Sequence, residues 1–183
     1  MFFLKNIFNS FIDIIFPRYC FNCENLILNE DNYFCSDCYR KLSYFDYSIN
    51  HKEYYAEEKY CNKVDNLYSL FYFEPNSISQ NIIHLIKYQN KQKLGLYMGR
   101  KLGETLLEHG IKADMIIPIP LHKSRKKERG YNQSEIISLG VAEVLKIPTL
   151  TKILTREKNT ISQTKLNRAE RKQNVSGAFR ISN

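Results

Sequence analysis

Four of the five cysteines in this chain stand in two Cys-x-x-Cys pairs, a spacing that suits the binding of a metal ion. Cys20 and Cys23 form the first pair and, after eleven intervening residues, Cys35 and Cys38 form the second. Each pair supplies two thiolates from a tight turn, and the loop between the pairs can bring all four together. Because four thiolates fill the coordination shell of zinc, the pattern predicts a structural zinc site. A redox-active dithiol and unliganded core cysteines are the alternatives.

A zinc site of this kind would fold a segment of about 25 residues that is too small for a core of its own. The fifth cysteine, Cys61, and the nearby His51 are not needed as ligands. The sequence places no histidine as a partner for Cys61, while His84 and His109 stand among apolar or terminal positions. We therefore interpret His84 and His109 as structural and leave the catalytic residues unassigned.

A basic segment that follows a short apolar run is the second group of residues able to do chemistry. The run 115–119 is rich in β-branched residues and predicts a buried strand that prolines end. Residues 123–129 then carry five lysines or arginines against one glutamate, a net charge of +4. Gly130 closes this basic loop, and Asn132 or Ser134 can cap the helix that follows.

A strand, a basic loop and a helix in this order are typical of a phosphate site in an open α/β sheet. Guanidinium groups and free N–H groups at the start of a helix suit the oxygens of a polyphosphate. The candidate ligand residues are Pro120, Lys123, Arg125, Lys126, Arg129 and Gly130. A run of charges is more often an ordinary solvent-exposed turn, and that interpretation stays open.

The net charge of the 183-residue chain is +8, and it is distributed unevenly. Residues 112–183 hold 15 lysines and arginines against 6 acidic residues, whereas residues 1–111 hold 12 against 13. The second part should therefore attract the phosphates of a nucleotide or of nucleic acid. A hydrophobic fraction of 43% and an aromatic fraction of 13% exclude a disordered chain and suffice for one moderate domain with a small module.

Residues 1–16 predict an amphipathic helix, with apolar side chains at positions 4, 7, 8, 11, 12 and 15. We expect this helix to pack on its own domain; binding to a membrane surface or a partner is the alternative. Lys5 and Asp13 interrupt the apolar run, and no small-residue cleavage site follows it. We therefore expect no stable membrane insertion and a cytoplasmic, reducing location, where paired cysteines more often bind metal.

Apolar spacing also predicts the elements that position the two groups of residues. Residues 67–73 predict a strand, and two helices follow, the first starting at Pro75 to Ser77 and ending near residue 88, the second over 93–108. Their predicted core positions are Ile78, Ile82, Ile83, Leu85 and Ile86, then Leu94, Met98, Leu102, Leu106 and Leu107. Residues 149–154 predict a short strand that leads into the basic segment 155–180. We interpret this segment as a mobile arm or hairpin that covers a ligand, and an ordinary exposed loop is the alternative. Residues 177–179 would begin a last strand.

Taken together, these motifs resemble the ComF family, phosphoribosyltransferase-like proteins of which many are linked to competence and DNA uptake in bacteria. The matching residues follow one another in a fixed order over most of the chain, and no single motif would suffice alone. They are the four cysteines after an apolar helix, residues 82–88, Pro118-Ile-Pro120 with Arg125 and residues 129–133, and Gln163, Leu166, Arg168, Arg171, Asn174 and Phe179.

The resemblance implies four regions: an amphipathic helix (1–16), a zinc-binding module with four cysteine ligands (17–43), a linker (44–65) and a type I phosphoribosyltransferase-like α/β domain with a parallel sheet (66–183). Proteins of that fold class bind phosphoribosyl pyrophosphate with Mg²⁺, so residues 118–133 would face the pyrophosphate, and glycosyltransferase chemistry is implied. Lys165, Arg168 and Arg171 would belong to a flexible arm that closes over the ligand. The implied partners are single-stranded DNA and competence proteins such as a ComF-type helicase.

In the family, two acidic residues and a Thr-Thr-Gly loop that holds the ribose 5-phosphate come after the position of Phe179. Residues 180–183 do not contain them, so we expect a C-terminally incomplete domain, whether truncated or one half of a split protein, that a complementary chain could complete. Enzymatic activity is therefore left open. The alternative function is a non-enzymatic, zinc-containing module that binds single-stranded nucleic acid or a partner, with Tyr131 and Phe179 stacking on bases.

Overall fold

The computed structural model describes residues 17–27, 33–47, 66–163 and 166–182, and within these ranges it shows six helices and one small sheet. The helices are α1 (Ser36–Arg40), α2 (Ile78–Tyr88), α3 (Gln92–Glu108), α4 (Lys123–Arg129), α5 (Gln133–Leu145) and α6 (Arg168–Val175). The strands β1 (Leu154–Arg156) and β2 (Phe179–Ile181) pair antiparallel. The predicted N-terminal helix, most of the predicted linker, His51 and Cys61 lie outside the described residues. None of the helices in the described ranges is both long and apolar enough to cross a bilayer.

The chain divides into two compact units, the first comprising Met1–Ile49 with Phe71–Ile82 and the second Asn50–Leu70 with Ile83–Asn183. In the first unit, Phe34 and Cys20 are each 1% exposed and form the centre of a small core. The predicted strand 67–73 is wrong in extent, since these residues form one antiparallel bridge, between Phe71 and Tyr44. An aromatic run favours the extended conformation, but a strand also needs a partner along its length.

The predicted helices of the second unit are confirmed, including the first one, α2, which begins in the first unit. In α2 the buried apolar side chains are Ile78, Ile82, Leu85 and Ile86, and in α3 Leu94 and Met98 are buried. The prediction that Leu107 is a core residue is wrong, because its side chain is 59% exposed. It lies in the last turn of α3, where Leu106 is partly buried instead.

Helices α3 and α5 touch backbone to backbone through glycines. A Cβ atom on Gly99 would lie closer than 3.0 Å to the carbonyl oxygen of Ile137, and one on Gly140 equally close to the carbonyl oxygen of Leu96. Only residues without a side chain permit such an approach, so these two glycines fix the distance between the helices. Arg100 Nε and Glu143 Oε2 close the contact with an ion pair of 2.6 Å.

The apolar run 115–119 does not form the predicted buried strand. Ile116 makes a single parallel bridge with Thr149, with its N–H donating to Pro148 O at 2.9 Å. The three alternate residues Met115, Ile117 and Ile119 are 45%, 40% and 57% exposed. Successive side chains of an extended chain point to opposite sides, so only the side of Ile116 and Pro118 packs inward. In the described ranges this bridge is the one parallel pairing, and a complete parallel sheet stays a prediction.

The basic segment 155–180 is closed at its ends by the β1–β2 pair and carries α6 between them. Helix α6 begins with a capping box, in which Asn167 Oδ1 accepts from the Glu170 N–H at 3.0 Å and Glu170 Oε2 accepts from the Asn167 N–H at 2.8 Å. Asn174 Nδ2 donates to Ile161 O at 3.0 Å and ties the preceding loop to the helix. The hairpin interpretation is thus supported at the two ends of the segment.

Replacing Gly140 with alanine should lower the free energy of unfolding by about 2 to 3 kcal/mol, because the added methyl group forces α3 and α5 apart. Gly95→Ala is the matched control: its Cβ would meet side-chain atoms and no backbone, with Ile136 Cγ2 at 3.1 Å and Ile86 Cγ2 at 3.5 Å. Since alanine favours helix over glycine, Gly95→Ala should be close to neutral. Urea denaturation of both variants tests this, and equal stabilities would contradict the close-contact explanation.

Candidate functional site: a cysteine cluster and a basic helix

The structure brings the four predicted metal ligands together. The Sγ atoms of Cys20, Cys23, Cys35 and Cys38 all lie within 4.8 Å of one another, and those of Cys23 and Cys35 are 3.5 Å apart. Thiolates around a tetrahedral zinc ion, with bonds of about 2.3 Å, stand roughly 3.8 Å apart, so the cluster is compatible with zinc. The observed separation is too long for a disulfide, whose sulfur atoms lie about 2.05 Å apart. The four cysteines can therefore hold one metal ion.

Two different local structures present these thiols. The first pair stands in a tight turn in which Cys20 N donates to Asn25 O at 2.8 Å and Glu24 N donates to Cys20 O at 3.0 Å. In the second pair, Cys35 is the N-cap of α1 and Cys38 lies in its first turn. A turn and a helix start both project two side chains to one side, which is what a shared ion requires.

The thiols differ in acidity. Burial raises the pKa of Cys20, but hydrogen bonds from the backbone of Cys23, Cys35 and Asn22 outweigh it and bring the value to about 6. Burial is also the largest cause at Cys38, and there it raises the pKa to about 12. Metals bind the thiolate form of cysteine. The Cys20 thiol gives up its proton more readily than the Cys38 thiol, so metal binding must displace the proton of Cys38.

Two asparagines that the sequence analysis missed support the cluster from outside. Asn22 Nδ2 donates to Cys38 Sγ at 3.4 Å and so connects the first pair to the second. Asn81, near the start of α2, donates through Nδ2 to Phe21 O at 3.1 Å and to Asn22 Oδ1 at 3.3 Å. No sequence signal indicated them, since Asn81 is 59 residues from Asn22 and belongs to no cysteine motif.

The predicted basic loop is wrong as a description of the backbone, because residues 123–129 form helix α4. His122 caps it by accepting from the Ser124 N–H at 3.3 Å, and Gly130 ends it in the left-handed conformation with φ of 80°. Lysine, arginine and glutamate are strong helix formers, and no breaker lies between Pro120 and Gly130. The helix propensity of these residues therefore outweighs the tendency of a charged run to form an exposed loop.

The candidate ligand residues in and beside α4 differ in burial. Lys123, Lys126 and Gly130 are exposed, whereas Pro120, Arg125 and Arg129 are partly buried. Lys126 Nζ lies 3.2 Å from Glu135 Oε2, and Arg125 Nη1 lies 3.6 Å from Glu128 Oε2. Arg129 contacts two uncharged side chains: its Nη1 donates to Gln133 Oε1 at 2.8 Å, and its guanidinium lies 5.3 Å from the centre of the Tyr88 ring.

The residues that follow Gly130 anchor this region. The Tyr131 hydroxyl donates to the carbonyl of Ile86 in α2, and Tyr131 is 6% exposed. Asn132 caps α5, as predicted, and its Nδ2 donates to Ile119 O at 3.0 Å. Burial raises the pKa of Tyr131, although the charge of Arg129 opposes this. Tyr131 and Asn132 thus tie the basic helix to α2 and to the apolar run.

Of the three residues predicted for the flexible arm, Arg171 is the one whose side chain lies within the described structure. Lys165 lies outside the described residues, as does the side chain of Arg168. Arg171 is exposed, yet its Nε donates to Gln163 O at 3.0 Å and to Leu166 O at 2.9 Å. Arg171 therefore holds the loop before α6 in place. Two further cations, Lys87 and Arg156, are partly buried, and the sequence analysis did not single them out as ligands.

If the cluster holds a metal, Cys38→Ser should reduce the bound metal from about one ion per chain to near zero, because three thiolates and a hydroxyl bind zinc-like ions far more weakly. Cys61→Ser is the matched control and should keep the metal. Elemental analysis of both purified variants measures this. Equal metal contents in the two variants would show that the cluster is not the site.

No family model and no solved structure matches the chain. The chain is 30% identical to Competence protein F of Haemophilus influenzae over 176 residues, which cover 88% of this chain and 76% of that protein. It is 28% identical to the DNA utilization protein YhgH of Salmonella typhimurium and to that of Escherichia coli K12, over 105 residues that cover 46% of each. By the extent of the first match, the chain belongs to the competence protein F family.

Proposed function

We propose that this protein takes part in natural DNA uptake and that the segment 118–133 binds phosphoribosyl pyrophosphate or a related phosphate ester. The names of its relatives, competence protein F and DNA utilization protein, support the process. The observation that supports the ligand is the position of Arg125 and Arg129. They stand one helical turn apart on the partly buried side of α4, directly after the Pro118-Ile-Pro120 segment.

A type I phosphoribosyltransferase-like fold is part of this proposal. The parallel bridge between Ile116 and Thr149 joins two segments with α4 and α5 between them, which is the order of a parallel crossover unit. In such a unit the loop after the first strand faces the ligand. Mg²⁺ would accompany the pyrophosphate, since proteins usually bind such phosphate groups together with a divalent cation that offsets their negative charge.

Zinc is the metal proposed for the cysteine cluster, with a structural role. Four sulfur ligands in a chain of this type select zinc over hard cations such as Mg²⁺. Cys20 and Cys38 are buried and Cys20 lies in the small core with Phe34, so an ion bound there would stabilise the fold of the first unit.

Arg129→Met should weaken the binding of phosphoribosyl pyrophosphate with Mg²⁺ by about tenfold, because a charged hydrogen-bond donor is worth roughly 1.5 to 3 kcal/mol. Lys127→Met removes the same charge from the exposed side of α4 and serves as the matched control, with less than a twofold effect expected. Isothermal titration calorimetry on the full chain measures both. Absence of binding by the unmodified chain, or an equal effect of the two variants, would refute the ligand proposal.

Binding of single-stranded nucleic acid is the second candidate, favoured by the excess of 15 basic over 6 acidic residues in 112–183. The predicted stacking role of Tyr131 is wrong, because its ring is buried and its hydroxyl is bonded to Ile86. Phe179 is partly buried, and the guanidinium of Arg156 lies 5.3 Å from its ring centre. Neither of the two residues predicted to stack on bases is therefore exposed.

For this candidate, the affinity for a labelled oligothymidylate should fall at least tenfold between 50 and 200 mM salt (about 10³-fold for six or more phosphate contacts), because released counterions drive the binding. The substitutions Lys123→Ala and Lys127→Ala should both weaken the affinity for the oligothymidylate, by factors similar to each other. Fluorescence anisotropy measures the affinity. Affinity that is independent of salt would argue against this candidate. Separately, a ComF-type helicase as a partner protein stays a prediction.

A further inference from the structure

Asn81, near the start of α2, makes two hydrogen bonds to the turn that carries the first cysteine pair. Its Nδ2 atom donates to Phe21 O at 3.1 Å and to Asn22 Oδ1 at 3.3 Å. An amide NH₂ group has two hydrogen atoms, so these two bonds use both of them. The Asn81 side chain is therefore fully engaged as a donor to the two residues that separate Cys20 from Cys23.

The bond from Asn81 determines which end of the Asn22 amide faces the cysteine cluster. Asn22 Oδ1 accepts from Asn81, and Asn22 Nδ2 donates to Cys38 Sγ at 3.4 Å. A reversed amide would place its NH₂ group against that of Asn81 and its oxygen atom against the sulfur. Both of those contacts are repulsive, so Asn81 holds the Asn22 amide in the orientation that suits a thiolate at Cys38.

A hydrogen bond to a ligand sulfur matters because four thiolates around a divalent ion leave the cluster negatively charged. Donors that point at the sulfur atoms offset this charge and fix the direction in which each ligand points. Cys38 lies in α1 and is 4% exposed, so water has little access to its sulfur. The amide of Asn22 thus provides at that atom the hydrogen bond that solvent cannot.

Asn81 also joins two parts of the first unit that are far apart in sequence. The unit consists of Met1–Ile49 and Phe71–Ile82, and Asn81 is 59 residues from the amide that it orients. The same two parts meet where Tyr72 N donates to Ser43 O at 2.8 Å, but that contact involves neither cysteine pair. The Asn81 side chain therefore connects the start of α2 directly to the cluster.

We propose that Asn81 and Asn22, here called the amide relay, position the sulfur of Cys38 for the metal and slow the loss of the metal from the cluster. Asn81 acts through Asn22, so both are positioning residues behind the four ligands. This inference rests on the proposed zinc site and extends it beyond the cysteines. Contacts of this kind, made to ligands from behind, typically change metal affinity by roughly ten- to a hundredfold.

The first test is the rate at which the full-length, zinc-loaded chain gives up its metal to an excess of a chromogenic chelator such as pyridylazoresorcinol. Asn22→Ala and Asn81→Ala should each release zinc about tenfold faster than the unmodified chain. Gln80→Ala is the matched control, with less than about a twofold effect expected. Gln80 is the exposed neighbour of Asn81 in α2, and its Oε1 accepts from Asn76 N at 2.6 Å. Release from both relay variants at the rate of the control would overturn the proposal.

A double variant separates action through Asn22 from a contribution to folding alone. Adding Asn81→Ala to Asn22→Ala should change the release rate by less than about twofold, because no amide is left to orient. A larger further acceleration would show that Asn81 acts independently, through its bond to Phe21 O, and would overturn the relay.

Cobalt(II) in place of zinc gives a readout that a purely structural residue would not change. The Asn22 N–H stabilises the electrons of the Cys38 sulfur, so its loss should shift the sulfur-to-cobalt charge-transfer band to longer wavelength. Asn22→Ala should show this shift, and so should Asn81→Asp, whose carboxylate attracts the Asn22 NH₂ group and turns the amide around. Gln80→Glu adds the same charge one residue away and should leave the band in place. An unshifted band in both relay variants when fully loaded would overturn the proposal, and this test also serves if Asn81→Ala does not fold.

The outcomes separate this inference from the proposed zinc site. If the unmodified chain holds neither zinc nor cobalt, both fall. If the chain holds the metal, and Cys38→Ser loses it, but the relay variants match the Gln80 controls, only the amide relay falls.

Discussion

The contact between Gly99 in α3 and Gly140 in α5 is the constraint on which the second unit depends. Each glycine lies against a backbone carbonyl of the other helix, so neither position has space for even a methyl group. Backbones this close leave the helices little freedom to slide or tilt. The start of α5 is thereby fixed relative to α3, and the basic helix α4, which ends four residues before Gln133, is held with it.

From that fixed pair, a few polar side chains extend the order to the candidate site. Asn132 joins the start of α5 to Ile119, and Ser134 Oγ accepts from the Ile119 N–H at 3.1 Å. Tyr131 joins the same turn to Ile86 in α2. The motif Arg-Gly-Tyr-Asn-Gln therefore acts mainly as an anchor. Its tyrosine and asparagine are buried, and of its five residues Arg129 is the one with a charge to offer a ligand.

The two sites follow opposite physical rules. In the cysteine cluster, four ligands converge from a turn and a helix start, and a metal ion there would add to folding stability. On α4, five cations and one glutamate are held by a fold whose core is apolar, and two of the cations lie within 4.0 Å of a carboxylate.

The cysteine cluster, the helices 78–88, 92–108 and 133–145 and the family were predictable from the sequence alone, because each depends on local spacing or side-chain type. The cap of the last helix was narrowed to Asn132 or Ser134, and the structure shows that it is Asn132. Short segments were less predictable. Whether 115–119 is a strand depends on a partner from residues 148–150, and the helical state of 123–129 was hidden by its charge. Asn81 belongs to no motif of the chain, since its role arises from contacts with Phe21 and Asn22, which are far away in sequence. Its role is visible only in the folded protein, because proximity between distant residues is set by packing and leaves no local pattern.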